Sequence, residues 1–255
     1  MPSPAPARIA LIHATALAMQ PINEALARHW PQARRMHLLD DSLSQDHAVA
    51  GGQLTAAMLQ RFDDLAQYAK RTGCNGILFT CSAFGAAIEA AGAAVGLPTL
   101  KPNEAMLEQA LAVCSAEANV AYAASATGAA KANQGPQRIG LIATFEASLP
   151  SMAAELQAMA SARGLNIVQR SVFVPQAMQD LAEGRTDAHH QAIATAARGL
   201  KDCSVVMLAQ FSMAAAQPSV QALLSCPVLS SPDCAVLALR QRMQAQPADP
   251  TQPSA

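Results

Sequence analysis

The sequence predicts an α/β fold built from two duplicated halves, and three observations support this prediction. Short apolar runs alternate with longer stretches of helical period, which is the pattern of parallel strands joined by crossover helices. This pattern occurs twice, and the second copy follows the first at an offset of 129 to 130 residues. The chain has 255 residues, of which 51% are apolar and 14% charged, so each half can bury a core. We expect two doubly wound parallel sheets related by a pseudo-two-fold axis, with an active-site cleft between them.

Internal repetition is visible in three segments that keep the same order in both halves. The aligned pairs are Arg8–His13 with Arg138–Ala143, Gly73–Cys81 with Asp202–Gln210, and Leu97–Leu100 with Cys226–Leu229. Three collinear matches within one residue of register indicate a duplication. The halves are predicted at residues 6–114 and 138–243.

In the first half, the apolar runs predict strands at Ile9–Ile12, Arg35–Leu39, Gly76–Thr80 and Thr99–Leu100. The stretches of helical period predict helices at Pro21–Trp30, Leu54–Arg71, Ala83–Val95 and Asn103–Val113. In open parallel sheets the ligand binds outside the carboxyl ends of the strands. The residues that follow each apolar run are therefore the candidates for function.

The chain between and after the halves has a different composition. Residues 115–137 are rich in Ala, Ser, Gly and Asn and poor in large apolar side chains, so we expect a linker or a surface excursion there. Residues 244–255, rich in Pro, Gln, Ala and Ser, are expected to form a disordered tail.

Composition and charge exclude several classes of function. Seventeen basic and eighteen acidic residues give a net charge of −1 without a basic tract, so we expect no nucleic-acid partner. The sequence has no apolar run of about eighteen residues, which predicts a cytoplasmic protein without a membrane partner. The six cysteines form no CxxC pair, which predicts free thiols and no metal site. His189 and His190 lack a metal-spaced partner and are interpreted as surface or capping residues.

Cys81 is the strongest candidate for chemistry. It follows the apolar run Gly76–Thr80 and precedes Ser82 and a predicted helix. Backbone N–H groups and the positive end of a helix lower the pKa of a thiol, which makes it a nucleophile or a proton-transfer base. The alternative is that Cys81 is a small buried apolar residue, which is our interpretation of the other five cysteines.

The repeat places Gln210 at the position of Cys81 in the second half. An amide orients a substrate by hydrogen bonds but does not take a proton from carbon. Hydroxyls and backbone N–H groups at the strand ends are candidates for binding a carboxylate. The candidate substrate-binding residues are His13, Thr15, Asp41, Ser42, Thr80, Ser82, Thr144, Phe145 and Ser212. Helix capping is the alternative for the hydroxyls and for Asp41, and a structural hydrogen bond is the alternative for His13.

Two short segments, TCSAF at 80–84 and LAQFSM at 208–213, follow equivalent strands of the two halves. In this arrangement the chain resembles the aspartate/glutamate racemase superfamily, which includes aspartate, glutamate and hydantoin racemases, maleate cis–trans isomerase and arylmalonate decarboxylase. The resemblance implies catalysis without pyridoxal phosphate or metal, by two cysteines that act on opposite faces of the substrate α-carbon. Cys81 matches the first cysteine, and Gln210 stands at the place of the second. Arylmalonate decarboxylase also has one cysteine, but on the opposite half.

The resemblance favours a cofactor-independent isomerase of the racemase type, acting at the carbon alpha to the carboxylate of a small amino or related acid. Cys81 is then the proton-transfer base or nucleophile, while Gln210 and the serines orient the substrate. Two alternatives stay open: a one-cysteine lyase, decarboxylase or cis–trans isomerase, and a carboxylate-binding protein without catalysis. We expect a role in amino acid metabolism without cofactor or metal, and we leave a homodimer open.

Overall fold

The computed structural model describes residues 6–126 and 135–245, and only the main chain of residues 117–126. The chain divides into two compact units. The first unit runs up to Pro102 and resumes at Ala235, and the second is Asn103–Cys234. Each unit contains one four-stranded parallel sheet with flanking helices, which confirms the predicted α/β class and its two duplicated halves.

The strands of the first unit are Arg8–His13 (β1), Arg34–Leu39 (β2), Gly76–Phe79 (β3) and Thr99–Leu100 (β4). They are hydrogen-bonded in the order β2-β1-β3-β4, and all neighbours are parallel. Ile12 of β1 is paired with Phe79 of β3. This register brings the residues that follow β1 and β3 to the same edge of the sheet.

The helices of the first unit are Met19–His29 (α1), Ser42–Val49 (α2), Ala56–Arg71 (α3) and Gly85–Val95 (α4). Local signals fix two of their ends. Thr55 caps α3, because its hydroxyl oxygen accepts a hydrogen bond from the N–H of Met58. Gly96 ends α4 with a φ of 67°, a left-handed conformation that a residue without a β-carbon adopts without strain.

The second unit repeats this arrangement. Its strands are Gln137–Ala143 (β5), Ile167–Phe173 (β6), Val205–Leu208 (β7) and Val228–Ser230 (β8), in the order β6-β5-β7-β8. Its helices are Glu104–Ala126 (α5), Ser148–Ala162 (α6), Pro175–Ala182 (α7), Thr186–Ala197 (α8) and Gln217–Gln221 (α9). A last helix, Ser231–Ala245 (α10), begins in this unit.

The cores lie on the central strands. β3 and β7 are buried along their whole length, which is why they read in the sequence as continuous apolar runs instead of alternating ones. In the first unit, three aromatic rings pack together beside β3. The ring of Phe62 on α3 lies 5.4 Å from that of Phe79 and 4.9 Å from that of Phe84, measured between centroids.

The last helix connects the two units in sequence. α10 starts in the second unit, and from Ala235 onward it belongs to the first. There Arg240 donates a hydrogen bond to the carbonyl oxygen of His29 at 2.8 Å. A β-carbon on Gly76 would stand 2.7 Å from the sulfur of Met243. The absence of a side chain at Gly76 therefore lets α10 pack closely on β3.

Two helices differ from the prediction. The sequence analysis did not predict α2, and α5 continues to Ala126 instead of ending at Val113. Residues 115–126 are thus helical, because alanine is the strongest helix former and their lack of large side chains does not prevent a helix. Residues 127–134 of the predicted linker and 246–255 of the predicted tail lie outside the described residues.

Candidate active site

The carboxyl ends of β1 and β3 lie side by side because the two strands are parallel neighbours. The N–H of Thr80 donates to the carbonyl oxygen of Ile12 at 3.0 Å, which continues the ladder one residue past β3. His13 ends β1, and Cys81 follows Thr80. The structure therefore brings these three predicted site residues to one edge of the first sheet.

Cys81 lies in the turn between β3 and a short 3-10 helix, Ser82–Phe84, which leads into α4. Burial raises the pKa of its thiol, and this effect outweighs a hydrogen bond from the backbone of Ala83 that favours the thiolate. The expected lowering of the Cys81 pKa is therefore wrong. The physical reason is burial, and the α-helix α4 begins only at Gly85, after the short 3-10 helix. At neutral pH Cys81 is a thiol, the proton-donating form.

The side chain of Cys81 borders an apolar recess in the first unit. The recess has no room for a water molecule. It is lined by Ile12, His13, Ala14, Leu43, Phe62, Phe79 and Cys81. The sulfur is thus kept dry on this side, which explains the effect of burial on its pKa.

His13 is 1% exposed, and both of its ring nitrogens are engaged within the first unit. Nδ1 lies 2.8 Å from Oγ1 of Thr80, and Nε2 lies 2.9 Å from Nδ1 of His37 on β2. Burial, followed by the nearby His37, lowers the pKa of His13 to about 4, so the ring is neutral at physiological pH. These contacts agree with the alternative interpretation, in which His13 makes hydrogen bonds that stabilise the fold. Substrate binding by His13 and Thr80 stays a prediction.

Thr15 and Ser82 have different environments. Thr15 caps the 3-10 helix Ala16–Ala18, and its hydroxyl oxygen accepts from the N–H of Leu17 at 3.4 Å. Ser82 is exposed and directly follows Cys81. Capping is therefore observed for Thr15, and carboxylate binding by either hydroxyl stays a prediction.

Asp41 and Ser42 follow β2, as expected, but Ser42 is part of an ionic cluster that the sequence analysis missed. Ser42 donates to Asp40 Oδ1 at 2.7 Å, and Arg61 of α3 forms salt bridges with Asp40 and Asp46. Burial alone would raise the pKa of Asp40, but the hydrogen bonds from Arg61 and Ser42 hold that pKa below its ordinary value. Asp41 is exposed and makes no side-chain cap to α2. The cluster ties α3 to the end of β2, while Asp41 faces solvent.

In the second unit, Gln210 is hydrogen-bonded to the segment that follows β5. Its Oε1 accepts from the N–H of Thr144 at 2.8 Å and from the hydroxyl of Thr144 at 3.2 Å. Its Nε2 donates to the hydroxyl of Ser148 at 2.9 Å, and that hydroxyl donates to the carbonyl of Phe145 at 2.7 Å. The amide thus holds the turn between β5 and α6. Ser148, which the sequence analysis did not single out, completes this link.

Two further residues are predicted to bind the substrate. Phe145 lies in the turn that Gln210 holds, and Ser212 follows Gln210 in the sequence. Phe145 is 53% exposed, and Ser212 is half-buried in a 3-10 helix, Phe211–Ala216. An exposed phenyl ring beside a strand end offers an apolar contact to a ligand. Their binding roles stay predictions.

The interpretation of His189 as a surface or capping residue is wrong. His189 is 0% exposed, and its Nδ1 lies 2.7 Å from the carbonyl oxygen of Ala177 on α7. His190, the next residue on α8, is half-buried. The buried ring of His189 therefore links α8 to α7. The sequence spacing of His189 and His190 does not show that His189 lies on the buried face of α8.

Within residues 6–126 and 135–245, no three His, Cys, Asp or Glu side chains are grouped so as to hold a metal ion. In the same ranges, no helix has both the length and the apolar character needed to cross a bilayer.

Comparison with known proteins gives structural matches alone. No protein-family model and no curated protein sequence matches the chain. A glutamate racemase from Bacillus anthracis matches 93% of this chain and 82% of its own length, with a TM-score of 0.63 at 14% identity. An aspartate racemase from Picrophilus torridus matches 93% of this chain and 94% of its own, with a TM-score of 0.58 at 13% identity.

Arylmalonate decarboxylase is similar to the same extent. It matches 94% of this chain and 94% of its own length, with a TM-score of 0.59 at 16% identity. The chain therefore has the fold of these racemases and of this decarboxylase. The resemblance inferred from the segments at 80–84 and 208–213 is confirmed at the level of the fold.

Proposed function

We propose that this protein is a cofactor-independent enzyme that generates and protonates a carbanion next to a carboxylate, with Cys81 carrying the proton. The observation on which the proposal rests is the position of Cys81 at the carboxyl end of β3, where its thiol is half-buried and beside the exposed Ser82. The fold shared with racemases and a decarboxylase supports this class of chemistry. The substrate is a small amino acid or a related carboxylic acid.

The state of the Cys81 thiol favours a proton donor. Its pKa is raised by burial, so the proton is present at neutral pH. In the decarboxylation of a substrate with two carboxylates on its α-carbon, the bond to one of them breaks, carbon dioxide leaves, and the electron pair stays on the carbon next to the other carboxylate. Cys81 then gives its proton to that carbon, and the resulting thiolate regains a proton from water. A carbanion of this kind is an enediolate, which hydroxyl and backbone N–H donors stabilise.

Gln210 favours a reaction at one face of the carbon. An isomerase of the racemase type needs a second group that gives or takes a proton on the opposite face, and an amide does neither. The amide of Gln210 is also engaged with Thr144 and Ser148. A one-cysteine decarboxylase or related lyase is therefore our first candidate. The racemase-type isomerase is the second, and the racemases that share the fold favour it.

The test is product analysis in deuterated water. We would incubate the protein separately with both enantiomers of aspartate, both enantiomers of glutamate, and 2-methyl-2-phenylmalonate. Reaction at one face predicts a single enantiomer of deuterated 2-phenylpropionate, or α-deuteration of an amino acid with retained configuration. NMR and chiral chromatography measure both. Products of both configurations would support the racemase-type isomerase instead.

Two serine variants separate Cys81 from the other thiols. Cys226 is the matched control, because it is the other half-buried cysteine. Cys81→Ser is expected to lower the rate by about 10² to 10⁴, the usual contribution of a positioned proton donor, whereas Cys226→Ser keeps the rate. Unchanged turnover in Cys81→Ser contradicts the proposal. Binding of these acids by calorimetry without exchange or turnover would support the carboxylate-binding alternative.

A further inference from the structure

A chain of four hydrogen-bonding side chains crosses the first unit from the end of β3 to α1. It consists of Thr80, His13, His37 and Asn23. Thr80 and His13 are buried, and His37 and Asn23 are half-buried. The successive distances between ring nitrogens and their partners are 2.8, 2.9 and 3.2 Å. The chain thus begins next to Cys81 and ends on the outer helix.

The chemistry of the last member fixes the direction of every bond. Oδ1 of Asn23 only accepts, so Nε2 of His37 carries a hydrogen and donates to it. Nδ1 of a neutral His37 then has no hydrogen and accepts from Nε2 of His13. Nδ1 of a neutral His13 accepts in turn from the hydroxyl of Thr80. All four side chains are satisfied when both rings carry their hydrogen on Nε2.

The surroundings keep both rings neutral. A proton on Nδ1 of His37 would face the hydrogen on Nε2 of His13. A proton on Nδ1 of His13 would make the Thr80 hydroxyl turn toward the carbonyl oxygen of Ile12, where the contact is longer, at 3.5 Å. Burial opposes the charged form of both rings, and Arg35 on β2 further lowers the pKa of His37. Arg35 is itself fixed to α1, because it donates to the carbonyl oxygen of Asn23 at 3.0 Å. The contacts of the chain therefore favour hydrogens on Nε2 of both rings over the physiological pH range.

We propose that His13, His37 and Asn23 are positioning residues, which fix the hydroxyl of Thr80 and thereby the neighbouring thiol of Cys81. The Thr80 hydroxyl is held by the chain, while the Thr80 N–H is held by β1. With side chain and main chain both anchored, the direction of the next residue is determined. The importance given to Cys81 rests on the proposed function, but the positioning itself does not require a substrate.

The pattern of hydrogens is tested on the unmodified protein. Nitrogen-15 NMR distinguishes histidines protonated on Nε2 from those protonated on Nδ1. We expect Nε2–H and bare Nδ1 for both His13 and His37 at pH 7. A hydrogen on Nδ1 of either ring would overturn the assigned chain.

The positioning is tested by alkylation of Cys81 with iodoacetamide, with mass mapping of each thiol. Thr80→Val keeps the shape but removes the hydroxyl, and Asn23→Leu removes the terminal acceptor. Each is expected to speed alkylation of Cys81 about fivefold, the ratio that corresponds to one lost hydrogen bond, because the half-buried sulfur becomes more mobile. Thr80→Ser restores the hydroxyl and the slow rate. Gln20→Leu is the control on α1, since Gln20 is exposed and donates to Glu24, which lies outside the hydrogen-bond chain.

The outcomes separate positioning from general loosening and from catalysis. An unchanged or lower rate at Cys81 in Thr80→Val and Asn23→Leu overturns the proposal, and so does an equal increase at Cys226. None of these measurements uses a substrate. An inactive wild-type protein with the expected alkylation pattern would therefore contradict the proposed function and leave the positioning chain supported.

Discussion

The two units anchor the residue after their central strand in different ways. In the first unit, Thr80 makes the polar link to the end of β1 through His13, and the next residue, Cys81, keeps its side chain outside that link. In the second unit, the residue equivalent to Thr80 in the repeat is Ala209, and the residue equivalent to Cys81 is Gln210. Ala209 cannot make a side-chain hydrogen bond, and Gln210 makes the link to the segment after β5 itself.

The difference shows how a duplicated backbone can serve two purposes. A side chain that must hold a turn has its hydrogen bonds occupied, so it is poorly placed to act on a ligand. Moving the anchor one residue toward the N-terminus frees the next position for chemistry. In the proposed function, Cys81 is available for chemistry because Thr80 and His13 hold the turn, whereas the second unit uses the corresponding position, Gln210, for structure.

The first prediction, with the largest expected effect, is that buried His13 makes the first unit less stable at acidic pH. The folded-state pKa of His13 is about 4, below the ordinary 6.5, so the folded protein binds fewer protons than the unfolded chain between these values. Its contribution to stability is present above pH 6.5 and is lost as the pH falls toward 4. We expect the wild type to lose about 3 kcal/mol more than His13→Gln between pH 7 and pH 4.

Urea unfolding at the two pH values measures this loss. His47→Gln is the control, because it removes a histidine of α2 that is not part of the hydrogen-bond chain. If the pH dependence of His13→Gln matches that of the wild type, the buried neutral ring does not contribute, and the contrast between the anchors of the two units loses its basis.

The second prediction concerns the anchor of the other unit. Gln210→Ala removes three hydrogen bonds and leaves the N–H of buried Thr144 without the partner it now has, so we expect a loss of about 2 kcal/mol in the free energy of unfolding. Cys81→Ala is expected to cost less, because the thiol does not hold its turn. Gln169→Ala, which only removes an exposed bond to Ser171, is the control at under about 0.5 kcal/mol. Equal losses for Gln210→Ala and Cys81→Ala would contradict the division of roles.

The third prediction compares β5 with its equivalent strand in the first unit, β1. Gly140 of β5 corresponds to Ala10 of β1, yet a β-carbon on Gly140 would stand 2.9 Å from methyl carbons of Leu200 and Val206. Gly140→Ala is therefore expected to cost about 1 to 2 kcal/mol by overpacking. Gly199→Ala is the control, because its β-carbon meets nothing within 4 Å. Thermal unfolding of the two variants measures this difference. Similar melting temperatures would show that the core of the second unit accepts the methyl group that Ala10 places in the first unit.

The smallest effect is expected at Gly76. A β-carbon there meets the sulfur of Met243, the far end of a flexible side chain that can adopt another rotamer. Gly76→Ala should cost less than about 1 kcal/mol, and its counterpart in β7 is already a valine, Val205. A loss larger than that of Gly140→Ala, measured by the same unfolding experiment, would mean that α10 is held rigidly on β3.

The strands, the repeat and the edge that carries Cys81 could be predicted from the sequence, because buried parallel strands are continuous apolar runs that end abruptly. α2 could not, because only Leu43 of its residues is buried and no apolar face marks it. The extension of α5 follows from the helix propensity of alanine, which matters more there than the lack of large side chains.

The places of Cys81 and Gln210 after their central strands could be predicted from the sequence, but their contacts could not. The offset of the repeat placed Gln210 opposite Cys81, but the direction of its amide toward Thr144 depends on a turn whose geometry one sequence does not give. His37 and Asn23 gave no signal, since they belong to a strand and a helix distant in sequence from Cys81. The raised pKa of Cys81 was missed because burial of a sulfur depends on packing around it, which the order of residues alone does not specify.

The path of α10 has a consequence for synthesis of the chain on the ribosome. Once Cys234 has emerged, the second unit has all its strands and helices, whereas the first still lacks the helix that packs on Gly76. The nascent N-terminal unit must wait for contacts between residues far apart in sequence, and such closures are slow. The unit made last is thus the first to be completed, the reverse of the usual N-terminal order. Until α10 has emerged, the part of β3 on which it packs stays uncovered.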